Sequence, residues 1–223
     1  MNKAVKKQVA IGKTLMKKYW YTFRALAKPV LTSALIVGAL LFAAPSSKAQ
    51  PITAASLRVI TINGPIDDFT AARVSAQLKA FDETGHEEIE MNITSYGGSV
   101  YAGLRIVGSM ESIKSPVKTV CEGHCMSMAT YILASGEPGR RFALPYTTIL
   151  LHEVSGGSIG TLQTMKNDVG EAERLQNLLT QILSKHTGIG TTELTKLMDH
   201  DNYLSVEEAL KYNIIDFVKG KNG

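Results

Sequence analysis

The chain has 223 residues, 44% of them hydrophobic, enough for one substantial core and a single globular domain. Its formal net charge of +4 is unevenly spread: residues 1–49 carry nine Lys or Arg and no acid, leaving 15 basic against 20 acidic residues beyond them. The body is therefore mildly acidic, which argues against a polyanion surface and against a nucleic-acid partner.

The first 49 residues read as a targeting leader: a long basic region, the apolar stretch PVLTSALIVGALLFAA (29–44), then small residues ending at Ala49 that suit cleavage before Gln50. The uncharged run Val30–Ala44 has 15 residues, short of the roughly 20 that span a bilayer and suited to the apolar core of a signal peptide. An uncleaved membrane anchor and a soluble amphipathic tail are the other readings. The chain thus divides into a leader, 1–49, and a body, 50–223, with the protein expected at a membrane or outside the cytoplasm.

In the body, LRVITIN (57–63) is β-branched and apolar and is closed by Gly64-Pro65, which predicts a strand. Phe69, Val74, Leu78 and Phe81 then recur at helical spacing, with Asp67 or Asp68 available as the N-cap. EIEMNIT (88–94) is a second strand, running into Ser95-Tyr96-Gly97-Gly98; a helix follows from near Val100 to before Ser115-Pro116. VKTVCE (117–122) is the third strand, and the turn-like Gly123-His124-Cys125 leads into a helix over MSMATYILAS (126–135). Two short strands (141–145 and 148–152), a glycine-rich excursion SGGSIG (155–160) and a long helix (161–188) come next. Leu175, Leu178, Leu179, Ile182 and Leu183 form a packing stripe on that helix. Two short helices (191–199 and 205–213) close the chain, the second with Ser205 and Glu208 spaced as a capping box. Strands alternating with helices predict an α/β fold with parallel strands and function at their carboxyl ends, where both glycine-bearing turns lie.

Only two cysteines occur, Cys121 and Cys125. In an exported body a disulfide between them is conceivable, but a spacing of four across a strand and turn rarely gives the Cα separation of about 5.5 Å that it needs, so the two are expected to stay apart. With His124 between them and no second cluster, they fall short of a zinc motif, so no metal is expected.

Ser127, between two methionines at a helix start, is either an ordinary small residue or a nucleophile. A serine hydroxyl near neutral pH needs a base, a group orienting that base, and donors for the developing oxyanion. The free N–H groups of a helix start and the Gly97-Gly98 turn on the neighbouring strand offer such donors. For the base the chain has His86, His124, His152, His186 and His200, and spacing alone does not choose among them. Asp199 and Asp201 flank His200.

Taken together, ITSYGGSVYAG (93–103), GHCMSMAT (123–130), ASGEPGRRFALP (134–145), LLHEVSGG (150–157), KHTG (185–188) and MDHDNYLSVEEALKYNIID (198–216) resemble the ClpP family, the proteolytic subunit of the ATP-dependent Clp protease, over roughly residues 57–218. The resemblance implies a ClpP/crotonase-like spiral of strand-strand-helix units with a long handle helix. It implies a serine endopeptidase acting on proteins or peptides with Ser127 as nucleophile, His152 as base and Asp201 as the acid of the triad. Backbone N–H groups of Gly98 and Met128 would stabilise the oxyanion, with no metal or organic cofactor. It also implies heptameric rings stacked in pairs. An AAA+ ATPase partner, usual for the family, is harder to reconcile with a leader that exports the protein and with only seven residues between Ala49 and the first strand. Tyr96 stands where the family commonly has proline. A crotonase-fold acyl-CoA enzyme and a non-catalytic ring subunit are the alternative functions, and the cytoplasm, usual for the family, the alternative location.

Overall fold

The computed structural model describes residues 58–220; the leader and the first residues of the body lie outside them. In chain order the elements are β1 (Val59–Asn63), α1 (Asp68–Thr84), β2 (Ile89–Ser95), α2 (Val100–Ser112), β3 (Val117–Met126), α3 (Met128–Ala134), β4 (Arg141–Ala143), β5 (Thr148–Leu151), α4 (Leu162–Thr187), α5 (Thr191–Leu197), β6 (Asn202–Leu204), α6 (Val206–Lys211) and β7 (Phe217–Val218). The expected α/β architecture with parallel strands is present. Strands β1, β2, β3, β4 and β7 lie side by side, all parallel, while β5 joins β3 in parallel and β6 joins β5 antiparallel.

Local signals set several boundaries. The Asp67 carboxylate accepts the Thr70 N–H at 2.7 Å and starts α1. Ser205 and Glu208 form the reciprocal capping box at α6. Val74 and Leu78 of α1 are buried as their spacing predicts, but Phe69, in the first turn, is 75% exposed. Leu175, Leu179 and Leu183 of the 26-residue α4 are buried and Leu178 and Ile182 half-buried, whereas residues 162–170 of that helix are solvent-exposed. Among the described residues no helix is long and apolar enough to cross a membrane.

β3 departs most from the sequence reading. It does not end at Glu122: it runs to Met126 and changes partners on the way. Thr119–Cys121 pair with β4, and His124–Met126 pair with β5. On the other edge Cys121 faces Ile93 while Cys125 faces Ser95, so Thr94 alone stands opposite Glu122, Gly123 and His124. The extra residues bulge out of the ladder. The expectation that Cys121 and Cys125 stay apart is therefore wrong: their Cα atoms are 6.0 Å apart and the sulfurs are bonded to each other. A regular strand would separate them by about 13 Å; the bulge takes up the difference.

The end of β4 is fastened to β7 by the buried Arg141. Its guanidinium donates to both oxygens of Asp216, at 2.9 and 2.6 Å, and to the His186 carbonyl at 2.9 Å, while its backbone N–H donates to Asp216. Replacing Arg141 with alanine leaves the Asp216 carboxylate without its cation, at a cost of about 3–5 kcal/mol, read as a lower midpoint in urea. Despite burial, the Arg141 hydrogen bonds hold the Asp216 carboxyl below its ordinary value. Partial burial likewise opposes, and hydrogen bonds from Ser115 and the Lys114 N–H overcome, at Asp82, whose carboxyl is lowered to about 2. Both groups bind protons more weakly folded than unfolded. Their contribution is complete above about pH 4 and is lost at lower pH, for Asp82 as pH falls toward 2; acid titration followed by circular dichroism should show the loss below about pH 4.

Candidate active site

Ser127 sits between the end of β3 and the start of α3 with φ 53° and ψ −127°, a conformation that costs a non-glycine residue about 1–3 kcal/mol. The surroundings hold it there. Its N–H donates to the Leu150 carbonyl at 3.0 Å, and its own carbonyl accepts the Thr130 N–H at 2.9 Å. The Thr130 hydroxyl reaches both the Cys125 and Leu150 carbonyls, at 2.9 and 2.8 Å, tying α3 to the ends of β3 and β5. As an N-cap, Ser127 makes no side-chain bond to the helix it precedes, so the hydroxyl is free for other work.

The Gly97-Gly98 turn packs directly against this corner. A Cβ at Gly97 would come within 2.7 Å of the Ser127 Cβ and the Met126 carbonyl oxygen, and one at Gly98 within 2.3 Å of the Ile66 carbonyl oxygen. Both glycines also have positive φ, 95° and 149°, so the site requires glycine here on two counts. Ile66 and Gly98 form a parallel bridge, and the Ser95 hydroxyl accepts the Gly97 N–H at 3.0 Å. Met128 opens α3, and the first N–H groups of a helix have no partner within it. Among the described residues, neither the Gly98 nor the Met128 N–H donates to a backbone carbonyl.

His152 follows β5 and is half-buried. Its Nδ1 lies 2.5 Å from the Glu153 carbonyl oxygen. A carbonyl only accepts, so this contact calls for a proton on Nδ1; in the neutral ring that is the tautomer with its lone pair on Nε2, the one a general base requires. Gly98, Ser127, Met128 and His152 line one cavity of about 50 Å³, closed by Val100, Tyr131, Val154 and Leu179. A larger cavity of about 580 Å³, lined by Tyr146, Tyr203 and Val218, shares no residue with it.

Asp201 is exposed and does not line that cavity. Its position nevertheless follows from the ladder: Ile149 pairs with Leu204, Leu150 with Tyr203 and Leu151 with Asn202. Extending this register by one residue sets Asp201 across from His152. Asp199, its competitor, pairs with His200 instead. The remaining histidines also have other partners: His86 with Asp82, His186 with Glu111, and His124 stacked on Tyr96 with ring centroids 4.1 Å apart.

The structure thus brings together four of the five residues singled out from the sequence and leaves Asp201 at the edge. Sequence reasoning missed the supports: Ser95 beneath Gly97, Thr130 bracing α3, and Tyr101, whose hydroxyl donates to Glu171 on α4 at 2.6 Å. Arg174 and Tyr101 together hold the Glu171 carboxyl at about 2, so it stays ionised and ties α2 to α4 beside the glycine-rich segment. Hydroxyls at such positions carry no motif. Only the pairing of the strands gives them a role.

The family model for the Clp protease matches residues 46–222. The ATP-dependent Clp protease proteolytic subunit of Deinococcus radiodurans is 40% identical over 162 residues, covering 72% of this chain and 79% of the relative. A match of this extent, on a chain whose small cavity joins a strained serine to a histidine and two free N–H groups, shows that the protein belongs to the Clp protease family.

Proposed function

We propose that Ser127, His152 and Asp201 are the catalytic triad of this serine-type endopeptidase, with the N–H groups of Gly98 and Met128 as its oxyanion donors. The observation that carries the proposal is the shared cavity: nucleophile, base and both donors face one small space. His152 Nε2 takes the Ser127 proton as Oγ attacks a peptide carbonyl, and the two N–H groups receive the charge that builds on the carbonyl oxygen. His152 then returns the proton to the leaving amine, and water hydrolyses the acyl-enzyme by the same steps. Asp201 takes over from the Glu153 carbonyl as acceptor of the Nδ1–H hydrogen bond, the proton staying on Nδ1, and stabilises the imidazolium. No step calls for a metal or organic cofactor.

A fluorophosphonate probe tests the reading and separates a catalytic from a non-catalytic subunit. Covalent labelling that disappears in Ser127→Ala supports it; labelling that survives the substitution sinks it.

Assembly into stacked heptameric rings is supported by Ile159, Leu162, Met165 and Val169, exposed apolar residues on the glycine-rich segment and the bare first half of α4. No step of the proposed chemistry consumes ATP, so cleavage of short peptides is expected without an AAA+ partner. The leader, outside the described residues, would carry the peptidase to a membrane or out of the cytoplasm. Terminal sequencing and sedimentation of the protein from each cell fraction check both points. The expected result is Gln50 at the terminus of a ring in the membrane or extracytoplasmic fraction; intact Met1 in soluble cytoplasm would overturn the export reading.

A further inference from the structure

The Cys121–Cys125 bridge lies where the two halves of the site meet. It spans the point at which β3 leaves β4 and joins β5, closing the bulge formed by Glu122, Gly123 and His124. Downstream, Cys125 is two residues from Ser127, and its carbonyl accepts the Thr130 hydroxyl that braces the start of α3. Laterally, Cys125 pairs with Ser95, the residue whose hydroxyl holds the Gly97 N–H. The bulge itself touches the oxyanion turn through the His124–Tyr96 stack and is tied to β2 by the Thr94 hydroxyl, which donates to the Glu122 carbonyl at 2.6 Å.

Both cysteines are fully buried, while Glu122 and Gly123 at the bulge are exposed. Closing so short a loop removes little entropy from the unfolded chain, so the bridge contributes less to global stability than one spanning a long loop. Its effect falls instead on local geometry. An unbridged bulge can redistribute its extra residues along β3, and any such slip moves Ser127 and the Gly97-Gly98 turn relative to each other.

We infer that Cys121 and Cys125 are positioning residues for peptide hydrolysis: their disulfide sets the bulge that presents the Ser127 hydroxyl and the Gly98 N–H to one carbonyl, and reducing it slows acylation without unfolding the protein. The inference rests on Ser127 being the nucleophile. A dithiol is the reductant. One of its thiolates attacks a bridge sulfur and displaces the other cysteine, and its second thiol then closes to a cyclic disulfide, releasing the first. Two electrons and two protons pass to the cysteines, and the dithiol is oxidised.

The test uses the full chain in three states: as purified from an oxidising compartment, after treatment with dithiothreitol, and after reoxidation. Alkylation followed by mass spectrometry counts free thiols, fluorophosphonate labelling reads acylation of Ser127, and peptide cleavage supplies kcat and KM. The expected result is no alkylation before reduction and two alkylated cysteines after it. Labelling rate and kcat then fall together about 10- to 100-fold, the scale of a displacement near 1 Å. KM changes little, and reoxidation restores activity. The Cys121→Ala/Cys125→Ala variant should start at the reduced level and not respond to dithiothreitol. Equal labelling rates in the bridged and reduced states, or two alkylatable cysteines before reduction, would overturn the inference alone. Absence of labelling in the bridged protein, or labelling that survives Ser127→Ala, would overturn the assignment of Ser127 and this inference with it.

Discussion

Replacing Ser127 with alanine is expected to lower kcat for peptide cleavage by about 10⁶-fold, and His152→Ala to do nearly the same, because the two act as a unit. Asp201→Asn should lose about 10⁴-fold, since the amide favours the wrong imidazole tautomer. The three substitutions carry different structural risks. Ser127 makes no helix-capping bond and Asp201 is exposed, so both variants should keep the wild-type circular dichroism spectrum. Asp199→Asn is the internal control: Asp199 pairs with His200, and its loss should leave kcat within about threefold, as for a surface position. A collapse of activity in Asp199→Asn with Asp201→Asn unaffected would exchange their roles and contradict the register that sets Asp201 across from His152.

The second large effect is expected at the Gly97-Gly98 turn, the proposed oxyanion site. In Gly98→Ala the new methyl would lie 2.3 Å from the Ile66 carbonyl oxygen, on a backbone at φ 149° that alanine resists. The turn must move, and the Gly98 N–H moves with it. Loss of one oxyanion donor costs about 10²–10³ in kcat, with KM changing far less because the charge it meets develops only in the transition state. Gly97→Ala should behave similarly, its methyl pressing on Ser127 itself. Gly108→Ala, in α2 with open space around it, is the counterexample: it should keep full activity and stabilise the fold by about 0.4–1 kcal/mol. Steady-state kinetics beside thermal denaturation of the three variants separates the two outcomes. A Gly98→Ala enzyme with normal kcat would exclude Gly98 as a donor.

The contrast between Gly97-Gly98 and Gly108 shows where the sequence is informative. In all three the residue is the same. What differs is the neighbouring carbonyl or side chain, supplied by a strand or loop far away in the chain. The same holds for Phe69, which fits the apolar period of α1 yet faces solvent because the stripe begins outside the packed interface. It holds for the cysteines too. Their spacing in an extended chain forbids a bridge, and only the partner change in β3 produces the bulge that allows it.

Short-range chemistry was legible from the residues themselves. The Asp67 cap, the Ser205/Glu208 capping box, the leucine stripe of α4 and the alternation of strands with helices all depend on groups a few positions apart, whose geometry the backbone dictates. The motifs around Ser127, His152 and Gly98 carried the resemblance to the family, and that resemblance supplied five site residues, four of which do share a cavity. Strand pairing was decided only in three dimensions. From the sequence no strand is expected between the two closing helices; β6 forms there, and its antiparallel register with β5 sets Asp201 rather than Asp199 across from His152. The fork of β3 between β4 and β5, the bridge closing that fork, and the seating of Ser95 under Gly97 have the same origin. Pairing between distant strands depends on the whole chain's burial and loop closure, which no local window contains.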